Sequence, residues 1–176
     1  MKSSSHFFDN IFSSQEQTIP EDVGCIAVQH ILPSTYRFIL YLNNIFNGKL
    51  VILAKPKSID HSIKERLTAL GVDIKVASRD TDFLVDIIKN SQTKRSLILD
   101  IGGYFSHLAS KEELGVVGVI EDTENGHKKY HEATNNLRYP VISVARSELK
   151  KNEDALVGHS IVHATDSLLR YQNKLL

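Results

Sequence analysis

KLVILAKPKSIDHSIKERLTALGVDIKVA, residues 49–77, decides the fold. KLVILA (49–54) is a nearly continuous apolar run, which suits a strand buried on both faces. SIDHSIKERLTALG (58–71) places Ile59, Ile63, Leu67 and Leu70 on one helical face, and Gly71 closes it. VDIKVA (72–77) is a second strand. Strand, amphipathic helix and strand in this order predict two parallel strands joined by a crossover helix.

The alternation continues outward in both directions. Upstream, Pro33-Ser34-Thr35 starts a helix that carries Phe38, Leu42 and Phe46 and stops at Asn47-Gly48. Downstream come a helix over 81–91 capped by Asp80 or Thr81, a strand over 95–100, a helix over 104–114 and a strand over 115–120. A helix over 124–137, a strand over 140–145 and a long helix from Glu153 to about Leu175 complete the chain. The expected architecture is an α/β domain over 21–152, an open doubly wound (Rossmann-like) parallel sheet of about five strands. A loose polar arm over 1–20 precedes it, with Phe7, Phe8, Ile11 and Phe12 available to dock on the body or on a partner chain.

The helix over 153–176 has its own pattern. Val157, Ile161, Ala164, Leu168, Tyr171 and Leu175 repeat at alternating spacings of four and three, an a/d seam. Two readings stay open. The helix packs on its own domain, or it serves as a linker to a further domain or as an oligomerisation element.

Composition narrows the function. The chain has 176 residues, 41% of them hydrophobic, and 21 basic against 21 acidic side chains. Zero formal charge argues against an extended nucleic-acid or anionic-membrane footprint. A single cysteine, Cys25, excludes an internal disulfide framework and a CxxC zinc site. No apolar run is long enough for a membrane-spanning helix, and the first residues lack the apolar core of a signal peptide. The expectation is a cytoplasmic protein.

In an open α/β sheet, ligands bind beyond the carboxyl ends of the strands. The residues expected there are 55–58, 78–80, 100–104, 121–126 and 146–154. The glycines of Asp100-Ile101-Gly102-Gly103 allow either a close ligand approach or a tight turn. Glu121-Asp122-Thr123 suits a sugar hydroxyl or a metal, and equally suits a helix N-terminus. No GxGxxG, Walker A or GxSxG motif occurs, so no pyrophosphate cradle is recognisable. Two HxxxH pairs, His127/His131 and His159/His163, have no evident third metal ligand, and no metal is expected.

Four blocks, in order, carry a family resemblance: LVILAKPKSIDHSIKERLTALGVDIKV (50–76), SLILDIGG (96–103), GVIEDTENGHKKY (118–130) and YPVISVARSELKKNEDALVG (139–158). Together they resemble the S-adenosylhomocysteine hydrolase (adenosylhomocysteinase) family over roughly residues 30–170, the first part of its substrate domain. Under this resemblance Glu121, Asp122 and Thr123 match a segment that contacts the substrate ribose and the nicotinamide end of NAD. Lys150 and Asp154 match residues that hold the same ribose, and Asp100 is kept before the catalytic position.

The departures are as specific as the matches. The family's loop histidine is Lys55, its catalytic aspartate is Ile101, its adenine contacts are Lys57 and Ile59, and an asparagine is Ala155. Isoleucine cannot move a proton; lysine can when desolvated, which leaves Lys55 as the one catalytic candidate.

The resemblance therefore implies a substrate-side module of a divergent NAD-dependent, hydrolase-like protein of one-carbon metabolism. It would bind a nucleoside-like or related small molecule without being catalytic alone. NAD is implied for the full-length family, and no cofactor is expected on this chain by itself. The partner is then a second copy or an NAD-binding domain or subunit. The alternative is a standalone pseudoenzyme that acts as a binding or protein-interaction module.

Overall fold

A computed structural model describes residues 19–108 and 114–172. The docking aromatics at 7, 8 and 12 and most of the expected arm lie outside the described residues. The elements in chain order are β1 (Val23–Ile31), α1 (Tyr36–Ile45), β2 (Leu50–Ile59), α2 (His61–Ala69) and β3 (Asp73–Val76). Next come α3 (Thr81–Lys89), β4 (Arg95–Asp100), β5 (Val116–Glu121), α4 (Glu124–Glu132), β6 (Val141–Ser143) and α5 (Glu148–Gln172). Short 3₁₀ turns at Ser106–Leu108 and Thr134–Asn136 replace parts of two expected helices, and residues 109–113 lie outside the described set.

The strands form one six-stranded sheet in the order β3-β2-β1-β4-β5-β6, every pair parallel. The fold is the expected open, doubly wound, Rossmann-like sheet, with one strand more than the sequence patterns predict. The extra strand is β1, at the centre. Its apolar signal is short, Cys25–Val28, and polar Gln29 and His30 interrupt it before the last residue, Ile31. Both of those polar residues sit at the carboxyl end of the sheet.

Two clusters of apolar side chains fill the two faces. Ile26 and Val28 of β1 point to one, with Leu53, Ile98, Leu84, Ile88 and Phe105. Cys25 and Ala27 point to the other, with Ile39, Leu42, Ile52, Ile63 and Leu67. That alternation is the period of a strand. It puts α1 and α2 on one face and α3 on the opposite face. A fully buried Ile or Leu contributes about 1.5–3 kcal/mol, so β1, buried almost throughout, anchors both layers.

The caps follow local chemistry. Asp60 accepts the N–H groups of Ser62 and Ile63 at the start of α2, and Asp80 accepts that of Phe83 at the start of α3. The α5 helix begins at Glu148, one turn earlier than its expected start. Leu156, Val157, Ile161, Val162 and Leu168 along it are all exposed. No helix among the described residues is long and apolar enough to cross a membrane.

Candidate functional site

The strand order reverses between β1 and β4, because β1 connects onward to β2 on one side while β4 continues to β5 on the other. Such a switch point leaves a crevice at the carboxyl ends of the strands. A cavity of about 310 Å³ lies there. Its walls are largely apolar, with Phe38, Leu99, Ile101 and Ile120 among them, and Gln29, Asp100 and Asp122 supply polar groups. Ile101, at the position where the resemblance expects an aspartate, is therefore part of the apolar wall.

The acids around this crevice divide into two kinds. Glu121 is fully buried, and its carboxylate is consumed within the fold. Its Oε1 accepts the Gly102 N–H at 3.0 Å, the Thr123 N–H at 2.7 Å and the Thr123 hydroxyl at 2.7 Å; its Oε2 accepts the Gly103 N–H at 3.0 Å. The turn that presents those N–H groups has Gly102 at φ 99° and Gly103 at φ 63°, conformations that favour glycine. On its other side, Arg79 and Lys129 donate to the Gly102 carbonyl, and Arg79 also reaches that of Gly103. The group that closely approaches the glycine backbone is thus the chain's own Glu121.

Asp100, only 1% exposed, is held in the same way. It accepts the N–H groups of Tyr104 and Phe105 and, at 2.7 Å, the hydroxyl of Tyr130. Burial pushes its carboxyl above the ordinary carboxylate range, against the lowering effect of the Phe105 N–H and the Tyr130 hydroxyl. Thr123 caps α4 by accepting the Gly126 N–H while donating to Glu121.

Asp122 and Lys150 are of the other kind. Asp122 turns toward the crevice, half-exposed, and pairs at 3.3 Å with the Nζ of Lys150. Lys150 is mostly buried and also meets Glu153 at 2.7 Å. Burial would lower its ammonium, but Glu153 and Asp122 outweigh that effect and hold it above the ordinary value. The backbone of Asp154 lies on α5 one position beyond Glu153; its side chain is outside the described set. The structure thus brings Asp100, Glu121, Asp122, Thr123 and Lys150 to one end of β4 and β5. Of these, Asp122 lines the crevice with its carboxylate half-exposed, and Lys150 is joined to it by the ion pair.

No family model matches this chain, and neither does any curated protein at a significant level.

Lys55 stands apart from that group. It lines a second cavity with His30, Lys57 and Tyr104, over the β1–β2 side of the same sheet edge. The His127 and His131 rings stack on α4 with centroids 6.2 Å apart. No cluster of three or more metal-ligating side chains occurs among the described residues. His30 and Gln29 went unnoticed in the sequence, although polar residues closing an apolar run mark where a strand emerges at the ligand edge.

Proposed function

We propose that the switch-point crevice binds a nucleoside-like small molecule, with Asp122 and Lys150 holding a vicinal diol. The carrying observation is that Asp122, paired with Lys150 at 3.3 Å, lines a largely apolar cavity. A carboxylate accepts hydroxyl protons and an ammonium donates to hydroxyl oxygens, so the pair is complementary to a sugar edge, while the apolar wall suits a flat base. This is the substrate-side role that the adenosylhomocysteinase resemblance implies, for a divergent protein that is not catalytic alone.

NAD does not fit the described part of this chain. The loop after β1 is Leu32-Pro33-Ser34-Thr35, with no glycine to admit a pyrophosphate. The oxygens of Glu121 are already taken by backbone and hydroxyl donors. On this reading, hydride chemistry would come from a separate NAD-binding domain or subunit. The exposed seam of α5 supports a second body, whether such a domain or another copy of the chain.

Calorimetric titration with adenosine and with its dideoxy analogue tests the reading. Adenosine should bind saturably, and removing the diol should weaken it by about tenfold, roughly 1.4 kcal/mol. Asp122→Asn should produce a similar loss. Equal binding of the two nucleosides, or no effect of Asp122→Asn, overturns the diol assignment.

A further inference from the structure

The β1–β2 ladder is interrupted at one place. Gln29 pairs with Ala54, and the next registered pair is Ile31 with Ile59. A single residue of β1, His30, therefore faces four of β2: Lys55, Pro56, Lys57 and Ser58. The strand is tied again immediately afterwards, where the Asp60 N–H donates to the Ile31 carbonyl at 2.8 Å. The four residues form a bulge in β2, and a cavity of about 420 Å³ is lined by them, His30 and Tyr104.

Its charge is one-sided. Two lysines, a histidine, a serine, a tyrosine and Pro56 line it, and among the described residues no aspartate or glutamate does. Lys55 is half-buried, yet neither it nor Lys57 has an ion pair or side-chain hydrogen bond among the described residues. The Nδ1 of His30 is buried without a partner. Behind the wall, the Arg79 guanidinium lies 4.0 Å over the Tyr104 ring and adds a further positive charge. A half-buried cation that lacks a counter-charge gains when an anion supplies one.

We propose that this cavity binds the phosphate of a phosphorylated small molecule. A phosphomonoester carries close to two negative charges and three acceptor oxygens, which matches two lysines together with hydroxyl and imidazole donors. A lone carboxylate would leave one lysine unanswered. An extended polyanion would need cations spread over a face, and the chain's formal charge is zero. Burial first, and then the charge of Lys55, lower the His30 imidazole, while Asp122 raises it. Gln29 lines the crevice and its neighbour His30 lines the basic cavity, so the two sites adjoin along β1, and a phosphate here continues a ligand whose sugar lies in that crevice. The continuation rests on the proposed diol site; phosphate binding does not.

Nuclear magnetic resonance titration of the whole chain with inorganic phosphate, ribose 5-phosphate and ribose tests this. Inorganic phosphate should bind saturably with millimolar affinity, shifting the amides of Lys55, Lys57 and Ser58 and the His30 ring. The double variant Lys55→Ala with Lys57→Ala should weaken it by about tenfold or more. Lys64→Ala with Lys89→Ala, the same charge change on α2 and α3, should not. Lys57→Glu, at an exposed position, provides the same readout should the double variant fold poorly. Absence of a saturable shift, or equal weakening by the control pair, overturns the phosphate site. Phosphate binding with no gain for ribose 5-phosphate leaves the phosphate site standing and overturns its continuity with the crevice. Adenosine binding with no phosphate response overturns the phosphate site and leaves the diol reading intact.

Discussion

Replacing Glu121 by glutamine changes one oxygen to an amino group, which can no longer accept the hydrogen bonds made there: one at Oε2, three at Oε1. Whichever way the amide turns, its NH₂ faces a backbone N–H of Gly102, Gly103 or Thr123. A buried donor set against a donor, with the charge also lost, costs about 2–3 kcal/mol. Glu121→Gln should lower the urea midpoint accordingly and speed amide exchange at Gly102 and Gly103. An unchanged midpoint would mean that the turn holds itself. Gly126→Ala reaches the same network from the other side. A Cβ at position 126 would fall on the Glu121 carboxyl group, in backbone that a helix cannot easily move. The inward role of Glu121 could not be read from the sequence. Acidic residues at a strand end look alike from their neighbours, and while Thr123 beside it supplies two of the donors that claim this one, the other two come from Gly102 and Gly103, in a different loop.

At the scale of elements, legibility followed the locality of the signal. The helices α2 and α3 are written in their own residues: capping aspartates at 60 and 80, and apolar side chains such as Ile63 and Leu67 or Leu84 and Ile88 one turn apart. β1 is not, because its apolar run is short and a central strand derives its burial from neighbours far along the chain. The bulge of β2 is likewise silent, since Lys55 to Ser58 reads as a loop and its cavity depends on the register with His30. The seam of α5 was legible as a pattern, and the structure adds that its described members have no cover. Val157 is 50% exposed, Ile161 61% and Leu168 67%. An isolated amphipathic helix with its apolar stripe in water gains by pairing. Sedimentation velocity should show concentration-dependent association that Leu168→Glu abolishes. A monomer at all concentrations, before and after the change, would rule out a second copy as the cover.

For the molecule as a whole, β1 is the keystone: it pairs with β2 on one edge and β4 on the other and sends side chains into both cores. Cys25, in the middle of it, is 2% exposed, and burial raises its thiol well above the ordinary range. A thiol so placed is unreactive while the sheet is intact. Its labelling by a disulfide reagent should be slow in native buffer, rise with urea, and track the global unfolding transition rather than any local opening. Rapid labelling without denaturant would show that the central strand breathes independently. The same position of β1 has a consequence for biosynthesis. As the chain leaves the ribosome, β1 emerges before every other strand of the sheet, and β2 follows within about a score of residues. Its other neighbour begins only at Arg95, paired with Val23. Throughout that interval one edge of the central strand has no partner, so the half-made protein is open to wrong pairing where the finished one is most protected.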